Sequence, residues 1–459
     1  MITTDSRPIP ADPVLDGLSE FLSIDSLPAF VAGMVERIGG EEVDVKSGKI
    51  SYLRFKPTRD CVAQWTFSSS TGRPIFVSGK LFSDETGATI ASDASFQEQA
   101  DRARITASVQ SELYEYSPAR RVLLQAFPLD AKLCGLPLAA DAASVRDIFA
   151  RALGVSGDAI QLVDSIPVSY MAWHRCVLRY TVDLDGRQAN YFAKLFSDDR
   201  GLAMVTQIRA LKRRLDACGS PWVIPTPVTY SREGRMLVLE ALADASELRG
   251  LFRDASEDSS LIPEIKRQCA AAGAGLSALQ EVPVEGLPIV EPSDLIDGLE
   301  RKTRGLSEVA PALARRISLL LMGLTIEAAR LTAEKMALTH GAFRHTQMLA
   351  CGDRLGLIDL DNLRMSGASA DAGEFLACLD SVVARQPHLA TVAGECEDAF
   401  LDRIKAHRRP GLRWLLWYRA AADAKHAQRC FFSLPPRWPE IVEALLSSAE
   451  RCLHRSRRC

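Results

Sequence analysis

The five residues Lys80-Leu-Phe-Ser-Asp84 recur unchanged as Lys194-Leu-Phe-Ser-Asp198, with Gly87 and Gly201 the same distance beyond. The match continues on both sides. Before each lysine, two strand-like runs lead through a turn to a third. These are Ser51–Phe55, Cys61–Phe67 and Pro74–Phe82 in one copy, and Ile166–Tyr170, Cys176–Val182 and Asn190–Phe196 in the other. Short runs rich in β-branched and aromatic residues, bounded by turn residues, read as a β-meander. A helical pattern precedes each set, from Leu27 to Ile38 with a Gly39-Gly40 stop and from Val145 to Leu153. Downstream, the stretch from Arg121 lines up with that from Arg235, and lysine and arginine stand 41 residues apart in both copies. Such self-similarity marks an internal duplication of roughly 110 residues. The chain therefore has to fold as two copies of one small α+β unit, each placing a lysine at the end of its third strand.

The chain has 459 residues, which the usual length prior divides into about three domains. With 47% hydrophobic and 25% charged residues it has an ordinary globular composition. A net charge of −3 argues against nucleic acid or an anionic membrane as the main partner. The first residues lack the basic start and apolar core of a secretory signal. The most apolar window, Ile317–Ile326, is about half the length that spans a bilayer, so it reads as a buried helix. The 11 cysteines include no Cys-x-x-Cys pair, which argues against a disulfide framework and a structural zinc site. Free thiols in a reducing cytoplasm are the expectation.

Chemistry is concentrated between Leu338 and Asp361. A short apolar run ends at His340-Gly341. A second, starting at Gln347, meets a Gly352-Asp353 turn signal, and a third ends on Asp359. This spacing predicts a loop feeding a β-hairpin, with Gln347 and Asp359 at one end. An amide oxygen beside a carboxylate, with room for water and phosphate oxygens, suits a hard cation such as Mg²⁺; an ordinary surface hairpin fits the same residues. Asp361, two residues on, shares the face of Asp359 if the strand continues. Helices are expected around this segment, at about 265–279, 294–305, 311–335, 371–385, 388–408, 411–430 and 438–453. The basic ending, Arg451 to Cys459, reads as a solvated tail.

The His340 segment resembles the catalytic and metal-binding loops of the aminoglycoside phosphotransferase and choline kinase-like superfamily, small-molecule relatives of protein kinases. That family carries His-Gly-Asp, a metal-binding Asn or Gln, and a hairpin ending in Ile-Asp. Residue by residue, His340 and Gly341 match the loop, Gln347 the metal-binding amide and Asp359 the metal-binding aspartate. Asp371 falls where the family braces its loop. Each duplicated unit resembles the family's small lobe, whose strand lysine grips nucleotide phosphates. Lys194 carries that role over, while Lys80 belongs to a copy with no catalytic loop of its own. Leu237–Leu242 resembles the hinge, so backbone near Glu240 and Leu242 would pair with adenine. The departures are three. Ala342 stands where the family has its catalytic aspartate. The turn Ser169–His174 has no glycine. The helix after Lys194 has no glutamate, with Gln207 as a stand-in hydrogen-bonding partner.

The resemblance implies a protein kinase-like two-lobed α+β fold, preceded by a second copy of the small lobe. The expected segments are an irregular lead-in over 1–25, an extra small lobe over 26–140, a small lobe over 141–250 and a helical large lobe over 251–459. It implies ATP and Mg²⁺ as cofactors, and transfer to a hydroxylated small molecule such as a sugar or amino alcohol. A carboxylate that takes the acceptor's proton is worth about 10²–10⁴ in rate, so Ala342 implies slow or absent turnover unless Asp361 substitutes. The catalytic candidates are thus His340 and Asp361. Two other readings stand: a catalytically degenerate nucleotide-binding regulator or scaffold, and nucleotidyl transfer. The extra lobe could cap the site, shape the acceptor pocket or mediate homo-oligomers.

Overall fold

The two stretches that share the Lys-Leu-Phe-Ser-Asp pentapeptide each belong to a five-stranded antiparallel sheet. In the computed structural model, which describes residues 7–23, 27–39, 43–70, 72–255, 257–352, 354–407 and 411–459, the first sheet holds β1 (Val43–Lys56), β2 (Asp60–Ser69), β3 (Ile75–Phe82), β4 (Tyr114–Ser117) and β5 (Val122–Ala126). Their order is β1-β2-β3-β5-β4. The second holds β6 (Ile160–Met171), β7 (Arg175–Leu184), β8 (Arg187–Leu195), β10 (Pro227–Ser231) and β11 (Met236–Glu240), in the order β6-β7-β8-β11-β10. The two-residue β9 (Trp222–Val223) pairs elsewhere. The two orders describe one topology.

The repeated residues make the same corner twice. Arg121 and Arg235 both have positive φ, 52° and 44°. Their Nη1 atoms donate to the carbonyls of Ser83 and Ser197 at 2.7 and 2.8 Å. Their own carbonyls accept from the amides of Phe82 and Phe196 at 3.0 Å. Gly87 and Gly201 lie under Tyr116 and Tyr230, where a Cβ would come within 2.6 Å of the ring. The fixed spacing from lysine to arginine is therefore the length of chain that closes this corner.

Helices α1 (Ala29–Gly39) and α2 (Ala94–Ala107) accompany the first sheet; α3 (Ala142–Leu153) and α4 (Arg200–Ala217) accompany the second. Helix α3 starts on Asp141, whose carboxylate accepts from Ser144 N at 2.7 Å, and stops at Gly154 with φ 68°. Beyond the connector, helices α5 (Ile262–Gln280), α6 (Pro292–Arg304) and α7 (Pro311–Ala328) lead to β13 (Met336–Thr339) and the hairpin β14 (Met348–Cys351) and β15 (Arg354–Leu357). Then come β16 (Arg364–Gly367), α8 (Ala370–Arg385), α9 (Ala390–His407), α10 (Leu412–Ser433) and α11 (Trp438–Ser456). The connector strand β12 (Ala245–Glu247) adds to the hairpin, in the order β12-β14-β15-β9. A β-rich lobe followed by a mainly helical one is the two-lobed α+β layout, with a further β-rich lobe in front.

Three expectations change. The helix expected to reach 335 ends at Ala328. Part of the lead-in is packed rather than irregular: Leu15, Leu18, Phe21 and Leu22 are buried, and the Phe21 ring meets Trp65 edge-on at 5.7 Å. The basic ending is no solvated tail, because α11 runs to Ser456, whose hydroxyl donates to Glu327 at 3.1 Å. The expected turn at Asp353, the Gly40 stop and Arg408 lie outside the described residues.

The hydrophobic cores cross the boundaries expected at 140 and 250. One core joins the first sheet, the inner face of β6–β8 and the C-terminal helices; Phe55 of β1 meets Phe431 of α10 at 6.1 Å. The other joins α4, the hairpin, the His340 loop and α5, α8 and α9. The turn from β6 to β7 is seated in the first lobe. Asp130 accepts from Trp173 N at 2.8 Å and from the Tyr170 hydroxyl at 3.0 Å. Gln64 accepts from Ala172 N at 2.9 Å and donates to Tyr170 O at 3.2 Å. These bonds satisfy polar groups that burial would otherwise leave costly.

The two lobes also touch backbone to backbone. A Cβ on Gly135 would collide with the carbonyl of Gly234, and neither side can yield as a side chain would. Gly135→Ala should cost about 2 kcal/mol or more of unfolding free energy in denaturant titration. Gly157→Ala, where a Cβ meets nothing within 4 Å, should stay within about 0.5 kcal/mol of the parent.

Candidate active site

A cleft of about 1530 Å³ opens between the second sheet and the helical lobe. Strand alternation builds one wall. Asn190, Phe192 and Lys194 of β8 and Arg175, Val177 and Arg179 of β7 project into it at every second residue. Lys194 lies on a central strand, opposite Val177 on one side and Leu237 on the other. Its position is fixed by two ladders.

The facing wall is the end of the hairpin. Lys194 Nζ donates to Asp359 Oδ1 at 2.5 Å and pairs with Asp361. Arg175 Nη1 lies 3.7 Å from Asp359 Oδ2. Burial works to raise the pKa of Asp359, but Lys194 and then Arg175 outweigh it and hold the carboxyl below its ordinary value. Asp361 Oδ1 is buried and makes no hydrogen bond. Gln347 lines the same cleft, and its carbonyl accepts from Ile358 N at 3.0 Å. The chain does not run on as a strand from Asp359 to Asp361. Asp359 takes the left-handed conformation (φ 63°), and Leu360–Asn362 forms a 3₁₀ turn. Both carboxylates still reach Lys194, because the tight turn replaces strand alternation as the device that aims them.

His340 is placed differently from its expected catalytic role. It is fully buried, does not line the cleft, and braces the loop. Its Nε2 lies 2.9 Å from the Ile358 carbonyl and its Nδ1 accepts from Ala342 N at 3.3 Å, contacts that suit the tautomer with its proton on Nε2. Asp371 completes the brace, accepting from His340 N at 2.6 Å and Gly341 N at 3.0 Å. Gly341 has φ 74°, and a Cβ there would strike the Asn362 carbonyl, so only glycine lets loop and turn approach. These contacts lock the Asp359 turn to the loop. Ala342 is buried beside them.

At the connector, Glu240 and Leu242 line the cleft. The amides of Glu240 and Ala241 already donate to Thr226 and Asn190, at 2.9 and 3.0 Å. A purine could not use those two donors without breaking the sheet's edge. On α4, Met204 and Ile208 face the cleft at helical spacing, and Gln207 is not among the lining residues. Lys194 is oriented by the two aspartates instead. The first lobe's Lys80 lies 3.9 Å from Asp60 and is covered by Trp173, 4.5 Å from the ring centroid. The second lobe's turn thus closes over it.

Sequence reasoning missed several groups. Tyr52 and its β1 neighbours wall the cleft from the first lobe, and Arg175, Arg385 and Arg429 line it. Arg344 also lines it and lies inside the recognised loop, so its charge was readable there. Behind this wall Glu374 of α8 pairs with Lys425 and lies 3.2 Å from His426 Nε2, both on α10.

No protein-family model matches the chain, and no curated protein does. Solved structures are similar over about two thirds of it. A choline/ethanolamine kinase family protein from Mesorhizobium loti is 14% identical over 67% of this chain and 94% of its own, with a TM-score of 0.44. A choline kinase from Cryptosporidium parvum Iowa II is 8% identical over 68% and 95%, at 0.46. A glucosamine kinase in complex with glucosamine, ADP and inorganic phosphate is 15% identical over 68% and 87%, at 0.45.

Burial works to raise the pKa of Glu374, but Lys425, His426 and Arg344 outweigh it and hold the carboxyl well below its ordinary value. A depressed carboxyl stabilises the fold above its unfolded pKa, and that contribution is lost as pH falls through the folded value. Glu374→Gln leaves Lys425 without its carboxylate and should cost about 3 kcal/mol at pH 7. In paired denaturation curves, the gap between parent and variant should shrink as pH falls below about 4.3. A gap that persists unchanged at pH 3 would contradict the ion-pair account.

Proposed function

We propose that the cleft holds a magnesium-bound nucleoside triphosphate and that the protein is a slow phosphotransferase acting on a hydroxylated small molecule. The observation that carries this reading is the convergence of Lys194 with Asp359 and Asp361 across the cleft. Two carboxylates held on one ammonium, with a buried Asp361 oxygen left unbonded, suit a site that exchanges one cation for another. Among the described residues no group of three or more His, Cys, Asp or Glu gathers at metal distance. Asp359, Asp361 and Gln347 would therefore hold the ion together with phosphate oxygens, which is how Mg²⁺ is usually bound beside nucleotides. Bound there, it would neutralise charge on the transferring group.

The chain's own residues do the rest. Lys194, released from the carboxylates, would donate to phosphate from a rigid strand. Arg175 would add a second cation beside it. Leu242, which packs toward Gly356 of the hairpin, would offer an apolar face to the base. The His340–Asp371 brace would keep Asp359 in its left-handed turn without touching substrate. Asp361 reads as a second cation ligand rather than a replacement base, because it is committed to Lys194. With a methyl group at Ala342, proton removal from the acceptor would lack help worth about 10²–10⁴ in rate. That same residue favours a second reading, a nucleotide-binding module that does not turn over.

Thermal titration tests binding. ATP with Mg²⁺ should raise the melting temperature of the parent, and Asp359→Ala or Lys194→Ala should abolish the rise at the same concentrations. No rise in the parent would remove both readings. Radiolabelled transfer then divides them: transfer above the Asp359→Ala background supports the phosphotransferase, and binding without transfer supports the module.

A further inference from the structure

The far end of the cleft is cationic and has almost no counter-charge. Helix α8 presents Ser381 and Arg385 to it, and α10 presents Arg429 and Ser433, each pair at helical spacing. Arg344 joins them from the loop. Eight Lys or Arg line the whole cleft against five Asp or Glu among the described residues. The acidic residues lie at the connector and on Lys194. The carboxylate nearest the arginines is Glu374, which already serves Lys425 and His426 and stands 3.6 Å from Arg344 Nε. Neither Arg385 nor Arg429 makes a side-chain hydrogen bond or ion pair with a described residue. Arg429 is exposed and lines the cleft. Burial first, and then Arg344, push its pKa below the ordinary guanidinium value, and Arg175 acts in the same direction.

A guanidinium stays charged in a protein, so these groups cannot relieve their repulsion by losing protons. Placed together in a cleft with one shared carboxylate, they raise each other's energy. A bound oxyanion removes that cost, and the planar fork of arginine matches a carboxylate or phosphate with paired hydrogen bonds. Arg175, 3.7 Å from Asp359, lines the same cleft as Arg429 and makes this cluster continuous with the Lys194 site.

We propose that this end of the cleft is an oxyanion subsite, and that the acceptor is a hydroxylated small molecule bearing a carboxylate or phosphate group, engaged by Arg344, Arg385 and Arg429. The word acceptor rests on the phosphotransferase reading; the subsite does not. The inference narrows the acceptor class and sets aside the cationic amino alcohols, which this surface would repel.

Calorimetric titration of the full chain, without nucleotide, tests it with gluconate, inorganic phosphate, glucose and glucosamine at one ionic strength. The anions should bind at least about tenfold more tightly than glucose, with glucosamine weakest. Arg429→Gln should weaken anion binding by at least about tenfold, and Arg429→Lys should recover part of it. ATP with Mg²⁺, titrated separately, should bind the parent and Arg429→Gln alike. Glucose or glucosamine binding as tightly as the anions would overturn the proposal, as would anion binding that is absent or indifferent to Arg429. Equal loss of ATP and anion binding in Arg429→Gln would also overturn it, assigning the cluster to the nucleotide. Failure of ATP to bind the parent removes the phosphotransferase reading and leaves the subsite to be judged on the anion titrations.

Discussion

One ammonium held between two carboxylates ties the second sheet to the helical lobe. Lys194 comes from the centre of a sheet, where ladders on both sides deny it freedom. Asp359 and Asp361 come from a turn pinned by His340, Gly341 and Asp371. Each partner is rigid for reasons of its own, so the contact is positioned before any ligand arrives. Such preorganisation is what electrostatic work on phosphate requires, because groups already in place need not be reordered during reaction. The pieces that hold the turn are buried and chemically quiet; those that face the cleft are charged.

The first lobe has the second lobe's topology but a different fate. Its lysine is covered by Trp173, and the turn that carries Trp173 is held by Asp130 and Gln64. In exchange, the first lobe fixes the edge of the cleft that a free β6–β7 turn would leave mobile. Its β1 strand also packs on α10 and supplies Tyr52 to the wall. A shared core between the first lobe and the C-terminal helices means that it is built into the molecule, and the cleft has a third wall.

How much of this was legible in the sequence follows from locality. The loop and hairpin were readable because His340, Gly341, Gln347 and Asp359 lie within twenty residues and meet through turns that their own residue types demand. Lys194 was readable because the repeat marked it twice. Asp361 was expected beside Asp359 on a continuing strand; the proximity holds, but through a left-handed residue and a 3₁₀ turn, which strand periodicity cannot anticipate. His340 matched a loop motif, and the motif alone did not say whether its ring faced solvent or the Ile358 carbonyl. Gln207 failed as a partner because the phase of α4 turns Met204 and Ile208 inward instead. Arg385 and Arg429 were invisible for a general reason: a charged residue on a helix reads as solvated until packing decides which face closes a cleft.

A crystal structure with a non-hydrolysable ATP analogue and Mg²⁺ observes the proposed cation exchange at Lys194 directly. The ion should lie on Asp359 and Asp361, with Lys194 turned from them to a phosphate oxygen. Lys194 still paired with both carboxylates, with nucleotide absent from the cleft or bound away from it, would contradict the account.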